Sequence, residues 1–276
     1  MSINKFVLRT LLFSVTTLIA LLFDQFFTKT YQDTVIGREI YLSIHKSKVR
    51  KKVKVLIIGD SVAKQLYDNE TYNGDVYSLA SNQAISLVGQ YILLKNFIDN
   101  NQNNLPVEIV LIYVPQSFRN NLDQIYSYNY FLKPFYKSEY ESMITDTCRN
   151  QINKIPLYYL SQLPLVVNTN WSPTYVKHGD PYPFISPLSS NYLLKIKELC
   201  LKNHLPIKLL CPPIKASMFA RAVAFSKNDI LLKKTGLGNE FASYIKGMVV
   251  MPDSLYQDDA HFQRQYIPSD YYHLAR

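Results

Sequence analysis

The sequence predicts an α/β chain built on a parallel sheet and preceded by one N-terminal membrane helix, on three observations. An apolar stretch opens the chain, a β-branched apolar run at Val53–Gly59 ends in a turn, and further strand-like runs alternate with helix-like segments. The 276 residues are enough to bury a substantial core and suit a single α/β domain. With 47% hydrophobic and 18% charged residues, the composition argues against extended disorder, collagen-like repeats and a disulfide scaffold.

The opening stretch runs from Phe6 to Phe23 and is interrupted only by Arg9 and by the mild polarity of Thr10, Ser14, Thr16 and Thr17. At about 1.5 Å per residue it just spans a bilayer core when Arg9 snorkels to the headgroups. A cleaved signal peptide competes with this reading, but bulky Phe23, Phe26 and Phe27 stand where a cleavage site needs small residues. A buried N-terminal helix is the third reading. The expected organisation is an anchor over 1–28, a basic linker over 29–52 and a globular domain over 53–276. Lys5 and Arg9 on one side nearly balance Lys29 and Arg38 on the other, so charge alone leaves the orientation tied. The basic run His45–Lys54 reads as a solvated linker in preference to a contact with anionic headgroups.

Val53–Gly59 reads as a buried parallel strand with a helix after it, and Val76–Leu79 as a short second strand. Apolar Ile85, Leu87, Val88, Tyr91, Ile92, Leu94 and Phe97 predict an amphipathic helix over Asn82–Ile98. Val107–Val114 is the next strand, limited by Pro115. The tyrosine-rich segment Asp123–Tyr140 reads as cover over a sheet edge, with an aromatic ligand platform as the alternative. A helix is expected over Glu139–Gln151, and Pro156–Pro187, with Trp171 and His178, is an insertion or lid candidate. A helix at Ser189–Lys202, a strand at Ile207–Cys211 and a last strand at Val249–Met251 complete the alternation.

Thirty Lys+Arg against 21 Asp+Glu give +9, a balance that suits phospholipid, acidic glycan or nucleic acid alike. Eight glycines, with neither a P-loop nor GxGxxG, point away from Gly-rich nucleotide loops. Cys148, Cys200 and Cys211 lack CxxC spacing, and His45, His178, His204 and His273 are scattered, so neither a metal site nor a cofactor is expected. Asp253, Asp258 and Asp259 read as a solvated acidic loop before a cation site, and Asn69-Glu70-Thr71 and Asn170-Trp171-Ser172 as chance sequon matches.

The strongest local signal is Ile57-Ile58-Gly59-Asp60-Ser61-Val62, which presents a serine at the carboxyl end of a buried strand with a helix N-terminus ahead. Alone it reads more readily as a helix N-cap, with Ser61 or Asp60 accepting a helix N–H. Asp258-Asp259-Ala260-His261 near the C-terminus adds what a serine nucleophile needs, a histidine to take its proton and an acid to hold that histidine.

Together, Gly59-Asp60-Ser61 behind its strand and the terminal Asp258-x-x-His261 resemble the SGNH/GDSL hydrolase family over residues 53 to 265. The resemblance implies a flavodoxin-like three-layer α/β/α fold, with Ser61 as nucleophile, His261 as general base and Asp258 as its orienting acid. It places Gln83 where the family has a glycine whose N–H, with that of Ser61, helps form the oxyanion hole. The family's GxND becomes Val114-Pro115-Gln116-Ser117-Phe118-Arg119-Asn120-Asn121, in which Gln116, Ser117 or Asn120 would supply the side-chain donor. This departure puts a weak enzyme or a pseudo-enzyme among the readings.

The divergent motifs behind one anchor look like the membrane-tethered SGNH-like proteins that work beside acyltransferases in bacterial cell-envelope glycan modification. That likeness implies an extracytoplasmic domain on the cytoplasmic membrane, and an esterase or O-acyltransferase acting on acyl esters of a cell-surface carbohydrate. A membrane-bound acyltransferase is the implied partner, and no nucleic acid is expected. The rival expectation is a noncatalytic envelope protein that uses the same fold to bind glycan or a membrane partner.

Overall fold

Residues 3–27, 31–67, 75–174 and 182–267 are described by the computed structural model. Helix α1 (Ile3–Phe27) is exposed from Ile3 to Leu22 and is long and apolar enough to cross a membrane. Its threonines are compatible with that use. Thr10, Thr16 and Thr17 donate their hydroxyls to Phe6 O, Leu12 O and Phe13 O at 3.1, 2.9 and 2.8 Å, so each polar group is satisfied within the helix.

The segment expected as a solvated linker contains instead a packed helix, α2 (Val35–Ser47). Thr34 caps it by accepting the Gly37 N–H at 3.0 Å. Ile40 and Ile44 enter the core, and the Lys46 ammonium is buried against Ser78 O with its charge 4.5 Å from the Tyr77 ring centroid. The charge run therefore splits: one lysine is internal and satisfied, while the Lys54 side chain remains exposed.

Among the described residues, four strands form the main sheet: β1 (Val55–Gly59), β2 (Val76–Ser78), β3 (Glu108–Ile112) and β4 (Ile207–Leu210), in the order β2-β1-β3-β4 with every pair parallel. Strands β1 and β3 are buried along their whole length, as continuous apolar runs in a parallel sheet must be. Successive side chains point to opposite faces. Leu56, Ile58, Ile109 and Leu111 join one core cluster, Val55, Ile57, Val110 and Ile112 the other. The first cluster is covered by α2, by α4 (Ser86–Asn100) and by α8 (Pro187–Lys202). The second is closed by α3 (Ser61–Leu66) and by the Tyr256–Phe262 turn.

The helix expected from Asn82 begins four residues later, because Gln83–Ile85 forms a separate 3-10 turn and the chain reverses at Ser86, with φ +54°. The helix expected over Glu139–Gln151 is likewise divided into a 3-10 turn at Ser138–Met143 and α6 (Asp146–Ile152). Thr145 lies between them and caps α6 through the Cys148 N–H. The aromatic segment is core in its own right, not a sheet-edge cover. Its π turn Tyr128–Leu132 runs into α5 (Lys133–Phe135) and packs on α2 and on the Gln83–Ile85 turn. Within the lid candidate, a 3-10 turn (Tyr158–Gln162) and α7 (Pro164–Val167) pack beside that segment. At the candidate's far end, Asp229 holds the Phe184 and Ile185 N–H groups at 3.1 and 3.0 Å. His178 lies outside the described residues.

After β4 come β5 (Ile214–Lys215), α9 (Ala216–Asn228), α10 (Ile230–Lys234), α11 (Gly238–Lys246) and β6 (Val250–Met251). The last expected strand exists, but it pairs with β5 in a separate two-stranded sheet.

Candidate active site

From β1 the chain passes to β2 on one side and then to β3 on the other, so the order reverses between β1 and β3. Clefts at the carboxyl ends of parallel strands open at such a switch point. The Gly59-Asp60-Ser61 turn leaves β1 there, and Val114–Ser117 leaves β3 beside it.

Gly59 is required by space. A Cβ at this position would sit 2.2 Å from Ile112 O and 2.5 Å from Ala63 Cβ. The buried amide of Gln90 on α4 pairs with both sides of Gly59, accepting its N–H at 3.1 Å and donating to its carbonyl at 2.5 Å. Asp60 is fully buried and performs two tasks. One oxygen caps α3 through the N–H groups of Val62 and Ala63 at 3.0 and 3.4 Å; the other meets the Val114 N–H at 2.8 Å and the Ser117 hydroxyl at 2.7 Å. Burial pushes its carboxyl above the ordinary Asp range, and these hydrogen bonds oppose that shift.

Ser61 opens α3, and its Oγ lies 2.8 Å from His261 Nε2. His261 Nδ1 lies 2.8 Å from Asp258 Oδ2, so the three side chains form one hydrogen-bonded series. Asp258 Oδ1 also accepts the Ala260 and His261 N–H groups at 2.8 and 2.7 Å, folding the loop tightly round the carboxylate. Burial alone would raise the Asp258 carboxyl; the backbone donors and the His261 ring outweigh it and hold the group below the usual range. The neighbouring Asp259 carboxylate is turned away, exposed, with Lys215 at 3.6 Å.

Two devices fix His261 against α3. Tyr256 and Phe262 form an antiparallel bridge with stacked rings, centroids 4.6 Å apart. Gln65, one helical turn beyond Ser61, donates to Phe262 O and accepts from Phe262 N–H, both at 2.9 Å. Sequence reasoning missed Gln65 and Gln90. The available signal for Gln65 was its place four residues after Ser61, on the same helix face.

The oxyanion-hole candidates separate in space and in use. Among the described residues, neither the Ser61 nor the Gln83 backbone N–H has a hydrogen-bond partner. Ser117 Oγ sits between Asp60 Oδ2 and Gln83 Oε1, 3.1 Å from the latter, and its one proton is taken up within that cluster. Asn120 is buried and tied to Gln83 O at 2.6 Å and to the Leu122 N–H at 2.8 Å. Gln116 donates to Asp259 O at 3.4 Å.

Burial pushes the thiols of Cys148, Cys200 and Cys211 up to about 12, which leaves them inert as nucleophiles. Among the described residues no three His, Cys, Asp or Glu side chains converge to hold a metal; His45 and His204 are exposed, and His273 lies outside the described residues. In comparisons with protein-family models, curated proteins and solved structures, nothing matches this chain.

Proposed function

We propose that this chain is a membrane-anchored serine esterase or O-acyltransferase, built on an SGNH-like, flavodoxin-type α/β/α domain and acting on acyl esters of a cell-surface carbohydrate. The observation that carries the reading is the 2.8 Å contact from Ser61 Oγ to His261 Nε2, continued at 2.8 Å from Nδ1 to Asp258. A serine hydroxyl attacks an ester only when a base removes its proton, and His261 is in hydrogen-bond reach to do so. Asp258 then stabilises the imidazolium and holds Nδ1 protonated, so that Nε2 is the basic nitrogen. The Ser61 and Gln83 N–H groups are the proposed receivers of the carbonyl oxygen as it becomes an oxyanion. His261 returns the proton to the departing sugar oxygen, and water or a second sugar hydroxyl resolves the acyl-serine.

In this reading the globular domain lies outside the cytoplasmic membrane, with α1 as its anchor and a membrane-bound acyltransferase as the proposed source or recipient of acyl groups. A noncatalytic glycan-binding role has its own observation: Ser117 and Asn120, two of the side chains at the third motif, are taken up internally. Treatment of the detergent-solubilised protein with a serine-directed fluorophosphonate separates the two. Labelling at Ser61 that disappears in His261→Ala supports the esterase reading; no labelling where a control esterase reacts supports the noncatalytic one.

A further inference from the structure

Beside the triad lies a cleft of about 220 Å³ that the proposed chemistry does not use. Gln116 and Asp259 form its near wall, and Asp259 directly follows the acid that holds His261. The remaining lining includes the buried Phe184, the more exposed Phe225 and two arginines, Arg119 after β3 and Arg221 on α9. Both arginines are exposed, and among the described residues no carboxylate lies within ion-pair distance of either guanidinium. Arg119 uses Nε for Tyr182 O at 2.8 Å, which steadies the group, and among the described residues its two terminal nitrogens have no partner. Gln116 Oε1 is buried and has no hydrogen-bond partner among the described residues.

Asp259, the one acid in the wall among the described residues, is drawn toward Lys215 on the other side. The surrounding elements strengthen the same sign: α9 to α11 carry Arg221, Lys227, Lys233, Lys234 and Lys246 against Asp229, which is buried as a cap, and Glu240, which pairs with Lys197. Guanidinium forks bind carboxylates and phosphates in plane. The larger groove along β4, about 550 Å³, is lined by strand and α11 side chains and contains none of the triad.

We propose that this cleft is an anion-binding subsite that takes the carboxylate or phosphate of an acidic glycan, Arg119 and Arg221 holding the anion while its ester lies at Ser61. The substrate class is thus a sugar polymer with one negative group near each acylated hydroxyl. The inference rests on the esterase reading for the ester, but not for the binding.

The test uses the full-length chain in detergent with Ser61→Ala, so that bound sugar is not turned over. Binding is measured by titration calorimetry to oligo-galacturonate, to oligo-glycerol phosphate and to a neutral malto-oligosaccharide of equal length. At least one anionic probe should bind about tenfold or more tightly than the neutral one, the difference expected of one charge-assisted hydrogen bond; which one does so tells carboxylate from phosphate. Arg119→Gln and Arg221→Gln should each remove most of that difference, and Lys202→Gln, on the exposed end of α8, should not. Equal affinity for neutral and anionic probes, or equal losses in Lys202→Gln, would overturn the subsite. Circular dichroism melting of each variant distinguishes lost binding from lost folding, and Arg119→Lys and Arg221→Lys provide a second pair in which charge is kept but the fork is lost. Fluorophosphonate labelling of the wild-type chain reports on the esterase reading separately: anion binding without labelling retains the subsite and removes the enzyme, and labelling without anion selectivity does the reverse.

Discussion

Two adjacent aspartates precede His261, and their environments divide the roles. Asp258 receives three hydrogen bonds from the loop it organises, whereas Asp259 faces solvent and Lys215. Asp258→Asn should lower turnover of a small neutral acetyl ester by about 10³-fold or more, because an amide neither stabilises the imidazolium nor fixes its tautomer. Asp259→Asn should cost far less in the same assay; a larger loss at Asp259 would overturn the assignment. The depressed Asp258 carboxyl also sets a pH dependence. Its pKa is lower folded than unfolded, so its stabilising contribution is complete above the ordinary Asp value of about 4 and disappears as pH falls through the lower, folded value. The urea-unfolding midpoints of the wild-type chain and of Asp258→Asn should therefore differ at pH 5 and above and converge as the pH falls below about 4. At Asp60 the expected cost is structural. Asp60→Asn would aim an NH2 group at the Val114 N–H or at the α3 donors, leaving a buried donor without an acceptor. Urea unfolding should show a loss of about 1–3 kcal/mol.

At the scale of elements, one helix positions both halves of the site. α3 carries Ser61 at its first residue and Gln65 one turn later, where the amide pairs with the peptide that follows His261. Gln65 is a positioning residue: it touches no reacting atom, but it sets the distance between Ser61 and His261. Gln65→Ala should lower kcat on a neutral ester by roughly 10–100-fold with little change in KM, as a displacement near 1 Å does. Gln65→Glu should not restore activity, since a carboxylate still accepts from the Phe262 N–H but repels the Phe262 carbonyl. A fall in melting temperature with kcat retained would make Gln65 merely structural. Gln90 uses the same two-sided pairing one layer away, holding Gly59 where Ile112 O leaves no room for a side chain.

On the scale of the whole molecule, the tether is short. Only four residue steps separate Phe27, the end of α1, from Tyr31, whose N–H donates to Asn168 O at 2.9 Å and whose hydroxyl donates to Asn129 O at 2.6 Å. Four steps reach at most about 14 Å, so an anchor in α1 would hold the Tyr31 face of the body close to the lipid surface. The full-length protein should remain in the membrane fraction through a high-salt wash and require detergent for release, and mass spectrometry should find peptides of α1 still attached to it. Recovery of a soluble product beginning near residue 28 would identify α1 as a cleaved signal.

What the sequence determined by itself was local. Continuous β-branched runs can only be buried on both faces, so β1 and β3 and the parallel character of the sheet were legible. The candidates Ser61, Asp258 and His261 were also legible as motifs, because the acid and histidine lie within one turn of chain. Their meeting with Ser61 across 200 residues was expected only through the family resemblance and follows from no local pattern. Only the tertiary structure decided which aspartate faces the imidazole, that Asp60 joins β1 to the Val114–Ser117 turn, and that Gln65 and Gln90 each clasp a distant peptide. The basic run at His45–Lys54 shows the reason. Charge is a property of the residue, but whether Lys46 faces water or a buried carbonyl depends on Ser78, which no window around Lys46 contains.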